Sequence, residues 1–133
     1  MQVDHVGYAV SDIARAMHGM ELLGYCFGPV INDEDRNVRI AFGNCGECRV
    51  ELVCPLDSSK ESPVDLYLSK VRSGPYHICY LAEDFENDIA GLEGTGFKVT
   101  IPPRPAIAFG GRRVVFLYSL QVGLVELVES AMV

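Results

Sequence analysis

The chain has 133 residues, 49% of them hydrophobic and 22% charged, with a formal net charge of −7. This length suits one domain with its own core, no apolar run approaches the roughly 20 residues that cross a bilayer, and we expect no secretory signal. Excess negative charge disfavours a nucleic-acid surface, because neutralising phosphates requires Lys and Arg, so we expect a protein that binds neither nucleic acid nor, without an apolar run, a membrane. An odd count of five cysteines without a secretory signal indicates the cytoplasm.

We term residues 1–55 module one. Their sequence pattern predicts one strand, one helix and three further strands. The segment "DHVGYAVSDI" has alternate apolar residues, which is typical of a half-buried strand over 3–10. A helix follows, with Ser11 or Asp12 as its candidate N-cap and Gly24 where a left-handed residue commonly ends a helix. Its apolar stripe consists of Ile13, Ala16, Met17, Met20 and Leu23. Three strands are then expected at about 25–31, 37–43 and 48–54.

Residues 75–130, which we term module two, predict the same order of elements. A strand over 76–82 precedes a helix that Asp84 can cap, and Gly96 lies at the expected end of that helix. Three strands are expected at about 97–101, 112–118 and 123–129. The segment "IPPRPAIAFGG" between the first two of them is expected to be a loop, because its three prolines limit donation to a β-ladder.

The connector between the modules, residues 56–74, keeps apolar residues that a flexible linker would lack. We expect it to be ordered. A short helix is predicted there, begun by Ser62 or Asp65 and bearing Leu66, Leu68 and Val71.

The two modules are an internal repeat. At a constant offset of 72 residues, His5 aligns with His77 and Gly24 with Gly96. The later strands also match, since "RIAF" resembles "RVVF" and "RVELV" resembles "LVELV". The repeat therefore predicts an α+β fold of two tandem βαβββ modules.

Four polar residues occur on strands that otherwise look buried, and the repeat pairs them. His5 is equivalent to His77, and Glu51 is equivalent to Glu126. A buried carboxylate is costly unless it is paired or bound to a cation. Singly, each of the four suits a core histidine or a glutamate on the wet face of a sheet. Together, two neutral imidazoles and two carboxylates balance one divalent metal ion, and mixed N/O ligands suit Zn, Ni, Co, Mn or Fe better than Ca or Mg.

The sequence resembles the vicinal-oxygen-chelate superfamily, which includes methylmalonyl-CoA epimerase, glyoxalase I, extradiol dioxygenases and bleomycin-resistance proteins. The resemblance covers nearly the whole chain and rests on "DHVGYAVSDI", "VELVCPLDSSKESPVDLYLSK", "YHICYLAEDFENDI" and "GGRRVVFLYSLQVGLVELVE". It implies a single glyoxalase-like domain over 1–133, whose modules form a curved mixed sheet around a metal cavity. It also implies a homodimer. The family's metal-ligand positions fall on His5, Glu51, His77 and Glu126.

The resemblance implies an enzyme that is closest to methylmalonyl-CoA epimerase. We expect a Co, Ni, Zn or Mn ion to stabilise an enolate after Glu126 or Glu51, acting as general base, has removed the α-proton of an acyl-CoA. The first alternative is a lactoylglutathione lyase (glyoxalase I) that acts on a glutathione adduct. The second is a small-molecule-binding or resistance protein without turnover. A ring-cleaving dioxygenase is less favoured, because two His and one Glu around Fe(II) are usual there.

Two further groups of residues are weaker candidates. The odd count of five cysteines predicts reduced thiols, and in "NCGEC" we favour incidental turn cysteines at Cys45 and Cys48 over a zinc or redox pair. Arg104, Arg112 and Arg113 could hold CoA phosphates, but we favour solvated loop and edge charges.

Overall fold

The computed structural model describes residues 1–131, in which nine strands and three α-helices are present. The chain divides into two compact units. The first unit spans His5–Tyr76, and the second contains Met1–Asp4 together with the chain from His77 onward. Over the described residues, no helix is long and apolar enough to cross a membrane.

The first unit carries the elements predicted for module one and the connector. Its sheet has the order β2-β4-β5-β1, with β3 also paired to β4. Strands β1 and β5 are parallel, and the other pairs are antiparallel. Its elements are β1 (Gln2–Ala9, which enters this unit at His5), α1 (Ile13–Glu21), β2 (Cys26–Phe27), β3 (Ile31–Asp33), β4 (Val38–Cys45), β5 (Cys48–Pro55) and α2 (Asp65–Lys70).

Helix α1 begins at the predicted cap and packs most of its predicted apolar stripe on the sheet, but Leu23 lies beyond the helix and is 72% exposed. The carboxylate of Asp12, rather than Ser11, accepts a hydrogen bond of 3.1 Å from the Arg15 backbone N–H. Ile13 is buried, and Gly24 follows the helix with a positive φ of 105°. The core that α1 covers contains Val10, Ile13, Ala41, Leu52 and Cys54, with Ala16, Met17 and Met20 packed against it. The predicted helix is therefore confirmed, including its cap.

The second unit repeats this plan. Its sheet has the order β6-β9-β8-β7, in which β6 and β9 are parallel and the other pairs are antiparallel. The buried core under α3 is formed by Phe85 and Ile89 from the helix against Val115, Leu117 and Leu127. Its elements are β6 (Gly74–Ala82, which enters this unit at His77), α3 (Phe85–Glu93), β7 (Lys98–Pro105), a 3₁₀ turn (Ile107–Phe109), β8 (Arg113–Ser119) and β9 (Gly123–Glu129).

The predicted α+β class with two tandem βαβββ modules is confirmed, and each unit's sheet is mixed. The short helix of the connector is also confirmed, and it begins at Asp65. The organisation as a single domain of 1–133, with module boundaries at 55 and 75, stays a prediction.

Three local predictions were wrong. The strand expected at 25–31 is divided into β2 and β3, because Gly28 and Pro29 intervene and Pro29 has no N–H to donate. Asp84 precedes α3 without capping it, since its carboxylate accepts from the Asn87 side chain at 2.7 Å instead.

The third error concerns the proline-rich segment. Strand β7 continues to Pro105, through residues that we expected to lie in a loop. It is the last strand in its sheet order and, within residues 1–131, pairs only with β8, with register shifts between Val99 and Arg104. Prolines are tolerated in such an edge strand, because the missing N–H groups can face away from the ladder.

Asn37 ties the connector to the start of β4. It has a left-handed φ of 55° and is 8% exposed. Its Nδ2 group donates to the carbonyls of Asp57, Lys60 and Glu61 at 3.0, 3.2 and 3.0 Å, and its Oδ1 accepts from the Asp57 N–H at 2.9 Å. This one side chain thus replaces the hydrogen bonds that regular structure would give to residues 57–61.

We predict that Asn37→Ala lowers the free energy of unfolding by about 3 kcal/mol, because the buried Asn37 side chain loses four partly buried hydrogen bonds to the connector. Asn37→Gly should cost less, since glycine keeps the left-handed backbone favourable. Urea unfolding measures both variants. Asn87→Ala, which changes an exposed side chain, is the control and should stay within about 0.5 kcal/mol of the wild type. Equal stability of Asn37→Ala and the control would contradict the role assigned to Asn37.

Candidate functional site

In the first unit, parallel strands β1 and β5 bring a histidine and a glutamate together. Glu51 lies opposite Gly7 in the strand register, and His5 is two residues before Gly7 on the same face of β1. The distance from His5 Nε2 to Glu51 Oε1 is 3.4 Å. Both residues are buried, with exposures of 1% and 4%.

An aromatic ring from β4 flanks this pair. Phe42 lies opposite Glu51 in the β4–β5 register. Its ring packs edge-on to the His5 imidazole, with centroids 5.6 Å apart. On the Phe42 ring lies the Arg49 guanidinium, 4.3 Å from the centroid.

The second unit contains the same arrangement on β6, β9 and β8. Glu126 lies opposite Cys79, and His77 is two residues before Cys79. His77 Nε2 is 3.2 Å from Glu126 Oε1, and both side chains are buried. Phe116 lies opposite Glu126, and its ring is edge-on to His77 at 5.3 Å. The internal repeat therefore extends to the side-chain geometry of a His–Glu–Phe group in each unit, although Phe42 is half-buried and Phe116 is buried.

The structure thus joins His5 with Glu51 and His77 with Glu126, each within one unit. Phe42 and Phe116 were not predicted as site residues. The signal was nevertheless present, because the match between "RIAF" and "RVVF" aligns the two phenylalanines.

The donor chemistry of each pair fits a divalent cation. A neutral imidazole supplies one nitrogen and a carboxylate supplies oxygen with one negative charge, which is the mixed set that borderline metals accept. Each carboxylate is held on an apolar strand, where an uncompensated charge is costly. That the two His–Glu pairs together form one metal centre with four ligands stays a prediction.

Two of the three candidate arginines are held by contacts within the second unit. Arg113 donates to Glu129 Oε1 at 2.7 Å and to Glu86 Oε1 at 2.6 Å. Arg112 donates to the Glu129 and Phe109 carbonyls at 3.1 and 3.3 Å. These contacts favour the interpretation of Arg112 and Arg113 as edge charges with a structural role.

Comparison with known proteins gives consistent results. A family model described as the glyoxalase/bleomycin resistance protein/dioxygenase superfamily matches residues 4–116. The ethylmalonyl-CoA/methylmalonyl-CoA epimerase of Cereibacter sphaeroides is 31% identical over 119 residues, which cover 88% of this chain and 87% of that protein.

Solved structures also match over nearly the full length. Methylmalonyl-CoA epimerase from Mycobacterium tuberculosis is 26% identical with a TM-score of 0.82, and the match covers 98% of this chain and 89% of that one. A variant of the Streptomyces coelicolor methylmalonyl-CoA epimerase, in complex with 2-nitronate-propionyl-CoA, is 26% identical with a TM-score of 0.83. That match covers 100% of this chain and 96% of the other.

The contacts of Glu129 predict how stability responds to acid. Hydrogen bonds from Arg113 hold the pKa of the Glu129 carboxyl below its ordinary value. A carboxyl group with a lowered folded-state pKa stabilises the fold above its unfolded pKa of about 4.3, and this contribution is lost as the pH falls through the folded-state pKa. We therefore expect Glu129→Gln to be less stable than the wild type at pH 7, with the difference shrinking steadily below about pH 4.

Urea unfolding midpoints at pH 7, 5 and 3 measure this effect. Glu93→Gln, a change at an exposed residue on α3, is the matched control and should show little difference at any pH. A Glu129→Gln deficit that is as large at pH 3 as at pH 7 would show that charge pairing is not its cause.

Proposed function

The chain belongs to the glyoxalase/bleomycin resistance protein/dioxygenase superfamily, and from that premise we propose that it is a divalent-metal-dependent epimerase acting on an acyl-CoA. The observation that carries the proposal is the duplicated, buried His–Glu pair. The relatives add support, since they include methylmalonyl-CoA epimerases from several organisms. We also propose that the protein works as a homodimer in the cytoplasm.

We propose that His5, Glu51, His77 and Glu126 jointly hold one divalent ion, namely Co, Ni, Zn or Mn. Two neutral imidazoles and two carboxylates would give a neutral centre with such an ion. When bound, the ion would supply a Lewis acid for negative charge that develops on two neighbouring substrate oxygens. The repeat supports this assignment, because both modules present the same donors from the same strand positions.

The glutamates would also move the substrate proton. In our proposal Glu126 or Glu51 takes the α-proton on a carboxylate oxygen, and the other glutamate returns a proton to the opposite face of the planar carbon. The net result is inversion, with no change in bonding. His5 and His77 would ligate the ion through Nε2, and the 3.4 and 3.2 Å distances from Nε2 to the glutamate oxygens would keep each carboxylate beside that ion. Phe42 and Phe116 would limit access of water to them.

A second candidate is a lactoylglutathione lyase, which moves a proton between adjacent carbons of a glutathione adduct. The observation in its favour is the His–Glu–His–Glu order of the polar residues, which glyoxalase I shares. A binding protein that lacks turnover would hold its ligand at the same polar residues without proton exchange. Substrate assays with methylmalonyl-CoA and with the hemithioacetal of methylglyoxal and glutathione separate these possibilities.

Removing either histidine should abolish metal binding. We expect chelator-treated protein to rebind about one equivalent of Co, Ni, Zn or Mn per chain, and His5→Ala and His77→Ala each to weaken binding at least about 100-fold. Metal content after dialysis, together with a titration, measures the effect. His18→Ala, at an exposed position on α1, is the matched control and should bind like the wild type. If only one of the two histidine variants loses metal, the two pairs do not share one ion.

Replacing either glutamate should impair exchange of the substrate α-proton more strongly than it impairs metal binding. Glu51→Gln and Glu126→Gln keep an oxygen donor but remove the basic carboxylate, so we expect each to slow incorporation of solvent deuterium at the α-carbon of methylmalonyl-CoA at least about 100-fold. Mass spectrometry of the substrate follows the exchange, and the metal content of each variant is measured alongside. Glu93→Gln should exchange at the wild-type rate. Unchanged exchange in both metal-loaded variants would remove the two glutamates from the chemistry.

A further inference from the structure

Two cysteines face each other across the β4–β5 hairpin. Cys45 and Cys48 form the last pair of the strand register, and the two residues between them make the turn. Gly46 has a left-handed φ of 59°, as such a short turn requires. Directly opposed residues in an antiparallel pair have Cα atoms about 4.5 to 5.5 Å apart, which lies within the range that a disulfide spans.

Contacts of the two sulfurs place them on the same side of the hairpin. Cys45 Sγ lies 3.9 Å from the Leu23 carbonyl, and Cys48 Sγ lies 3.5 Å from the Tyr25 hydroxyl. Leu23 and Tyr25 belong to one short segment, which follows α1. Both sulfurs therefore face the same three residues of chain, as expected for side chains of a directly opposed pair.

Accessibility and chemistry favour reaction at this pair. Cys48 is exposed and Cys45 is half-buried, whereas Cys54 and Cys79 are buried. The hydrogen bond with Cys48 raises the pKa of Tyr25 to about 12. A tyrosine hydroxyl is protonated at neutral pH, so Tyr25 can donate a hydrogen bond to the Cys48 sulfur, and the thiolate is the form of a cysteine that reacts.

The fold does not need thiols at this turn. In the second unit, the equivalent β8–β9 hairpin ends with Ser119 opposite Gly123. That hairpin is closed by a hydrogen bond from the Val122 N–H to the Ser119 hydroxyl. The same structural task is thus performed in module two without cysteine.

We propose that Cys45 and Cys48 form a reversible dithiol–disulfide site that is oxidised by small-molecule disulfides such as oxidised glutathione. The Cys48 thiolate attacks one sulfur of oxidised glutathione, forms a mixed disulfide and releases one glutathione thiolate. The Cys45 thiolate then attacks the Cys48 sulfur and displaces the second glutathione. Two electrons pass from the dithiol to glutathione, and the two thiol protons are taken up by the released glutathione or by solvent.

This disulfide should be easily reduced. The disulfide would close only the short segment between Cys45 and Cys48, so it would remove little conformational entropy from the unfolded chain. A disulfide with little such stabilisation has a less negative reduction potential than structural disulfides, and reduced glutathione reverses it. In a reducing compartment, the pair would respond to changes in the glutathione ratio.

The experiment incubates the reduced full-length protein with mixtures of oxidised and reduced glutathione, traps free thiols and measures intact mass and peptide linkage. We expect a product that carries two fewer trapped thiols than the reduced protein, with Cys45 joined to Cys48, and we expect full trapping to return as reduced glutathione increases. The readout is covalent, so it is independent of the proposed enzymatic activity.

Variants identify the reacting pair. Cys26→Ser is the matched control, because Cys26 is exposed on the neighbouring strand but lies opposite Asn44, and this variant should still form the disulfide. Cys45→Ser should stop at a mixed disulfide between Cys48 and glutathione. The proposal is overturned if the wild type accumulates only mixed disulfides, or if the linkage maps to Cys26. Because linkage is also mapped in the wild type, a poorly folded variant does not weaken the test.

Discussion

The structure depends on the placement of a carboxylate on a buried strand in each unit. Moving an ionised carboxyl group out of water costs several kcal/mol unless charge and hydrogen bonds compensate. In both units, one compensating group is the imidazole nitrogen of a histidine on the adjacent parallel strand, at 3.4 Å for Glu51 and 3.2 Å for Glu126. The parallel pairs β1–β5 and β6–β9 therefore do more than complete the sheets, because they bring together residues that are far apart in each module.

The strand register that presents Glu51 is set by hydrophobic packing on the opposite face. Leu52 and Cys54 point into the core under α1, so the alternation of a strand sends Glu51 and Val53 to the other face. A slip of one residue would exchange the two faces and place the carboxylate under the helix. The two-residue turn at Gly46 restricts such slippage, since it fixes how β4 and β5 pair.

Much of the fold and two of the three residues in each His–Glu–Phe group were predictable, because the repeat supplied two examples of each feature. A lone histidine in a strand is weak evidence, but His5 and His77 at equivalent positions indicate a shared constraint. Local details that differ between the two modules were predicted less well. The strand predicted at 25–31 is divided because of Pro29. The Asp84 carboxylate bonds the Asn87 side chain, and helix-capping preferences do not take such a neighbour into account. The prolines of β7 misled us because an edge position is a property of the sheet and not of the segment.

Comparison of the two modules separates functional from structural requirements within this one chain. The His–Glu–Phe group is the same in both, down to the edge-on ring contact. Away from it the modules differ. Arg113 forms ion pairs with Glu86 and Glu129. Its repeat partner Arg39 instead lies opposite Cys54 in the β4–β5 register. Burial raises the pKa of the Cys54 thiol, and the charge of Arg39 opposes this effect in part. The cores under the two helices occupy equivalent positions but differ in residue type, as Ile13 and Phe85 or Ala41 and Val115 do. The polar pairs and their aromatic neighbours keep both residue type and geometry. Hydrophobic packing tolerates a change of residue type, so packing does not account for that identity, whereas the site chemistry that we propose does.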